Sequence, residues 1–280
     1  MVINESNEGK LKGQFGDWYE LIKPFLLTDA FDKIIGHLKA TVNAGKQVIP
    51  KSNELFKSFE KCSRHKVKTI ILLQCPYATK RQDVVIADGI PMSCGNIAPY
   101  MQPSLYQWYQ ALEKTYGFDV DNDQRPDISY LLEEEGVLLL NSALSVEYQK
   151  VDSHAQLWEP FTKFILEEVV GQYMPGIPIV LCGTAAQKYE KYILPMKNPI
   201  KKIEHPASAS YQNRDWKYDD IFKWINNIIE QNNGKEYTIR WIRKKHEVAD
   251  KDNVALQEWL KPMKNENDEV GDLPWQKKIQ

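Results

Sequence analysis

Three short runs constrain this chain more than any other feature: VKTIILL at 67–73, GVLLL at 136–140 and IPIVL at 177–181. Each is too short for a helix and almost continuously apolar, as a parallel strand buried on both faces must be. A fourth candidate strand lies at 200–204. Between the runs, helical periodicity marks 104–116, 158–170 and 218–230. It also marks 18–38 ahead of them, and Pro50 ends a loop before an amphipathic stretch at 53–59. Strands alternating with helices predict an α/β layer fold, in which ligands bind beyond the carboxyl ends of the strands. Those ends read Gln74-Cys75-Pro76-Tyr77, Asn141-Ser142, Cys182-Gly183-Thr184 and His205-Pro206, so the polar residues gather where a site is expected.

With 42% hydrophobic residues in 280, the chain can bury one large core plus a short appendage. We read residues 1–232 as the main domain and 233–280 as a charged C-terminal extension carrying Trp241, Trp259 and Trp275. Its run of Arg240, Arg243, Lys244 and Lys245 is either a phosphate contact or a solvated face. Lys and Arg number 36 against 38 Asp and Glu, so binding to nucleic acid by bulk charge is excluded and any such contact must be a local patch. The polar start and the lack of a membrane-length apolar run point to a cytoplasmic protein. Cys62, Cys75, Cys94 and Cys182 lie far apart with no CxxC pair. Neither a zinc site nor a disulfide framework is expected, and no metal or cofactor is called for.

The strand-end segments resemble, in order, the motifs of the uracil-DNA glycosylases. LLQCPYA at 72–78 is similar to the water-activating motif GQDPYH, DGIPMSC at 88–94 to HGLAFSV, and QPSL at 102–105 to the proline-rich loop PPSL. GVLLLNSALSV at 136–146 is similar to GVLLLNTVLTV, and SHAQLWEPFT at 153–162 follows SH...GWE.FT. LCGTAAQK at 181–188 resembles the loop LWGSYAQK, and HPASAS at 205–210 the DNA-intercalation loop HPSPLS. The resemblance spans residues 18 to about 230. It implies a three-layer α/β sandwich around a central four-stranded, mainly parallel sheet. The implied activity is that of a monomeric, cofactor-free DNA N-glycosylase, which flips a base from DNA and hydrolyses its bond to the sugar.

Such chemistry needs a pocket that reads the flipped base by its Watson-Crick edge. Asn141 suits that task, since its amide presents one acceptor and two donors in a plane. One amide orientation meets uracil and the other cytosine, so both bases stay open. By the resemblance, His205 faces the departing base and stabilises charge on its oxygen. Gln74, Tyr77 and Met92 complete the base pocket, with the Tyr77 ring against C5 of the pyrimidine, where it rejects thymine. Gln102, Pro103, Ser104, Gly183, Thr184, Ser208, Ala209, Tyr211 and Arg214 fall on the segments that hold DNA.

The departures are as informative. Cys75 stands where the family has the aspartate that activates water and supports the cationic sugar, and a thiol is a poor base. Ala78 replaces a histidine near phosphate, and Met92 a phenylalanine that stacks on the base. Ala209 replaces the wedge leucine, a task that Tyr211 or Arg214 would have to take over. The segment from Tyr77 to Gly89 is longer than in the family and brings in Asp83 and Asp88. Asp88, beside the pocket glycine, is the candidate for the displaced carboxylate, with Asp83 in reserve. Three functions follow from this pattern. They are release of a modified pyrimidine such as a hypermodified or glucosylated cytosine of phage DNA, slow excision of plain uracil in base-excision repair, and a catalytically silent DNA-binding or decoy role.

Overall fold

A central sheet organises the protein, whose structure is a computed structural model describing residues 5–117, 125–193 and 198–242. Its strands are β1 (Thr69–Leu73), β2 (Val137–Asn141), β3 (Ile179–Cys182) and β4 (Ile200–Ile203), in the order β2-β1-β3-β4. Every pairing is parallel. All side chains of β1, β2 and β3 are buried, each apolar one contributing roughly 1.5–3 kcal/mol. The edge strand β4 carries Lys201 and Lys202, charges that discourage pairing with a further strand. Register then determines where the site forms. Leu73 pairs with Asn141 and Cys182 with Ile203, so the four polar carboxyl ends emerge along one side of the sheet.

The helices follow local rules of starting and stopping. The periodic stretch 18–38 divides into Tyr19–Leu26 and Asp29–Asn43, because Thr28 is extended and its side chain accepts a hydrogen bond from the Phe31 amide at 3.4 Å. Helix Pro103–Tyr116 opens with proline and closes on a left-handed Gly117. The stretch 158–170 is an α-helix, Ala155–Phe164, continued by a π-helical segment, Ile165–Val170. Of 53–59, only the part within helix Lys57–Lys61 is helical.

Two aromatic clusters bind these helices into the core. One joins Phe15, Phe56, Phe59, Trp158 and Phe161. The other joins Trp108, Trp216, Phe222 and Trp241. Through Ile239 and Trp241 the chain beyond helix Ile221–Asn233 packs on the core, and the Tyr130 hydroxyl donates to the Trp241 carbonyl at 2.6 Å. Arg240 pairs with the buried Glu135 at 2.7 Å. Arg243, Lys244, Lys245, Trp259 and Trp275 lie outside the described residues. Among the described residues, no helix is long and apolar enough to cross a membrane.

Candidate active site

The carboxyl ends of β1 and β2 are stitched together before any functional group is placed. The Ser142 amide donates to the Leu73 carbonyl at 2.9 Å, while the Ser142 hydroxyl and the Ala143 amide both donate to the Gln74 carbonyl. Beyond this junction opens a cavity lined by Cys75, Tyr77, Met92, Ser104, Asn141 and His205, with Leu55, Ser58 and Phe59 also in its wall. Asn141 is only 7% exposed, yet among the described residues its side-chain amide has no hydrogen-bond partner. A buried amide left open in a cavity is not spent as a strand cap and is available to a ligand.

His205 precedes helix Pro206–Tyr211, and its Nδ1 accepts a hydrogen bond from the Ala207 amide at 3.2 Å. Because Nδ1 accepts, the proton of the neutral ring resides on Nε2. Burial lowers the pKa of His205 to about 4, with the charge of Asp152 opposing the shift. At neutral pH the ring is therefore an uncharged Nε2–H donor.

Tyr77 is held rigidly. Its hydroxyl donates to the Met92 carbonyl at 3.0 Å and lies 2.6 Å from the hydroxyl oxygen of Ser104, and burial raises its pKa. Ser104 is itself buried, so its hydroxyl serves Tyr77 within the protein. Met92 holds the left-handed conformation at φ 64°, uncommon for a residue other than glycine.

The added loop length is a small hairpin in which Lys80–Arg81 pairs with Val84–Val85 across Gln82 and Asp83. Both turn residues have positive φ, as a two-residue hairpin loop of this class requires. Ala78 packs beneath the hairpin with Ile49, Val85, Ala87 and Val146. Asp83 sits at the exposed hairpin turn and does not line the cavity.

Asp88 does not line the cavity either. It is 2% exposed, and its carboxylate accepts from the Ile90 amide at 3.1 Å, the Ser93 hydroxyl at 2.5 Å and the Gly95 amide at 3.1 Å. Burial raises its pKa against the pull of those bonds. Asp88 closes the 88–95 loop on itself, and the expectation that it supplies the displaced carboxylate loses its geometric basis.

The remaining candidates divide. Burial pushes the Cys75 thiol up to about 12, so it is a neutral thiol, and the charge of Asp152 adds to the shift. Gln74 is turned to the same residue, donating from Nε2 to Asp152 Oδ2 at 2.5 Å, and does not line the cavity. Gly183 is buried at φ 84° and Thr184 is exposed beside it. Gln102 and Pro103 open helix Pro103–Tyr116, and Ser208 is half-buried in Pro206–Tyr211. Ala209 is 0% exposed and points into the core, so it cannot act as a wedge. Arg214 is engaged by both carboxylate oxygens of Glu204 and donates to Gln212 as well, which takes it out of that role too. Tyr211, the other candidate for it, is 88% exposed at the end of the helix.

Asp152 escaped the reading of the sequence because the quoted motif begins one residue later, at Ser153. The motif pair has a structural task. Ser153 accepts from the Glu147 amide at 2.8 Å, and His154 Nδ1 lies 2.9 Å from the Ser145 hydroxyl oxygen, which also accepts from the Trp158 indole. Their effect is to fix the loop that presents Asp152.

No family model matches the chain. Among curated proteins, the uracil-DNA glycosylase of Vibrio campbellii is 31% identical over 81% of this chain and 96% of its own length. That of Proteus mirabilis is 32% identical over 76% and 91%. Among solved structures, mimivirus uracil-DNA glycosylase superposes with a TM-score of 0.71 at 21% identity, covering 80% of this chain and 86% of that one. The extent of this identity to curated relatives, across nearly their whole length, establishes that the chain belongs to the uracil-DNA glycosylase family.

Proposed function

We propose that this protein hydrolyses the N-glycosidic bond of a pyrimidine in DNA, with uracil the base its site fits best. The observation that carries this reading is the convergence of an unpartnered Asn141 amide and a neutral His205 on one cavity. Asn141 reads the edge of the inserted base. As the bond from the sugar breaks, negative charge collects on a base oxygen, and a fixed Nε2–H stabilises it without any proton having to move first. The doubly tethered Tyr77 cannot swing aside. In the family resemblance its ring lies against C5, so a methyl or larger group there is excluded.

A second reading, release of a modified pyrimidine such as a phage cytosine derivative, draws on two observations. Met92 replaces a flat aromatic wall with a flexible side chain, and the lining continues to Leu55, Ser58 and Phe59. Mass spectrometry of bases released from uracil-containing, methylcytosine-containing and glucosylated phage DNA separates the two. We expect uracil from the wild type and a loss of about a hundredfold or more in Asn141→Ala and His205→Ala. Absence of any free base from all three DNAs would rule out glycosylase function.

A further inference from the structure

We propose that Asp152 is the catalytic carboxylate of this site, replacing from a neighbouring loop the aspartate lost at position 75. The inference rests on the glycosylase reading and extends it to the group that activates water. Three of the side chains at the strand ends relate to this one carboxylate. Gln74 donates to it at 2.5 Å, and its charge acts on both the Cys75 thiol and the His205 imidazole. Gln74 presents an amide hydrogen to Asp152, so it orients the carboxylate without competing for a substrate cation.

Its depth is also right. Base-reading groups must lie inside the cavity, as Asn141 does, whereas C1′ of a flipped nucleotide remains at the mouth. Asp152 is exposed and stands outside the cavity lining, joined through Gln74 to the neighbouring Cys75, which does line it. The loop is fastened just after Asp152 by the Ser153 and His154 bonds, and Asp152 itself holds a left-handed backbone at φ 60°. Strained conformations of this kind persist where the surrounding structure enforces them, often at working sites.

The step balances as a hydrolysis. The C1′–N bond breaks and its electron pair leaves with the base, whose oxygen is held by His205. The Asp152 carboxylate faces the cationic sugar and takes a proton from the water whose oxygen bonds to C1′. That proton passes to solvent, and the released base is protonated there, giving free base and an abasic deoxyribose.

The test is single-turnover release of uracil from duplex DNA by wild type, Asp152→Asn, Asp152→Ala and Asp152→Asn with Cys75→Asp. DNA affinity and thermal melting are recorded for each variant. We expect Asp152→Asn to lose about a hundredfold or more in rate with unchanged affinity and melting, the usual scale for a lost acid–base group. Cys75→Asp, which restores a carboxylate at the neighbouring position, should recover at least about tenfold of that loss, as a merely structural Asp152 would not allow. Asp152→Asn with wild-type rate overturns the assignment. So does a rate loss matched by an equal loss of affinity, or no recovery from Cys75→Asp. Release by wild type that vanishes in His205→Ala but persists in Asp152→Asn would refute this inference and leave the glycosylase reading standing.

Discussion

A Cβ atom on Gly183 would stand 2.8 Å from the Cβ of His205. The parallel register that pairs Cys182 with Ile203 brings the residue after β3 against the one two positions beyond β4, and only hydrogen fits between them. Gly183 also holds φ 84°, which a larger residue adopts at a cost. We expect Gly183→Ala to lower stability by roughly 1–3 kcal/mol and to slow base release more than tenfold by displacing the imidazole. Thermal melting and single-turnover rates check this, and a variant with wild-type rate would show that His205 does not need its present seat.

The proton balance of His205 gives a second expectation. Protonating Nδ1 would set two N–H donors against each other across the 3.2 Å bond to Ala207, so the imidazolium cannot keep the present geometry. With a folded pKa of about 4 against an ordinary value near 6.5, the folded state resists a proton that the unfolded chain accepts. This contribution to stability is full above about 6.5 and is lost as pH falls through about 4. The His205 ring signals in an NMR titration should move with a midpoint near 4, and base release should have no acid limb from His205 at pH 6 to 7. A midpoint near 6.5 would contradict the buried neutral ring.

Much of this arrangement was legible in the chain because strand ends are local. Asn141 ends an apolar run and His205 follows a candidate strand, and the β–α alternation alone sends such residues to one side of a sheet. Boundaries moved where a side chain decides them, as where Thr28 splits a continuous periodic stretch. The direction of a loop carboxylate is not legible in the same way. Asp88 adjoins a cavity-lining glycine in sequence, but its direction depends on bonds to Ser93 and Gly95 that exist only once the loop has closed. Asp152 meets Gln74 across 78 positions of chain, a distance over which spacing carries no information.

Tyr211 offers a test specific to the duplex. It is a large, exposed ring on the segment resembling the intercalation loop, while Ala209 and Arg214 are both committed elsewhere. A ring inserted into the stack offsets part of the few kcal/mol spent on unstacking the flipped nucleotide, and a single strand has no such deficit. We expect Tyr211→Ala to slow release from duplex DNA by about tenfold or more and to leave single-stranded substrate within about twofold. Equal effects on the two substrates would show that Tyr211 contributes something other than a wedge.

Asp88 and Asp152 can be separated because a loop-closing carboxylate and a water-activating one fail in different ways. Asp88 accepts three hydrogen bonds in a site from which water is excluded, and each donor left unpaired costs roughly 1–3 kcal/mol. Asp88→Ala should therefore lower the melting temperature clearly. Asp88→Asn should fall between that variant and the wild type, because one amide oxygen still accepts while the amide nitrogen faces donors. Such losses act on the whole 88–95 loop, including Met92 and the carbonyl that anchors Tyr77, so base discrimination should suffer together with stability. In contrast, Asp152→Asn removes charge from an exposed position and should leave melting unchanged while the rate falls. Melting curves and single-turnover rates measured on the same preparations decide between them. If Asp88→Asn melts like the wild type yet releases base at a hundredth of its rate, the carboxylate belongs to Asp88, and the loop must open toward the cavity when DNA binds.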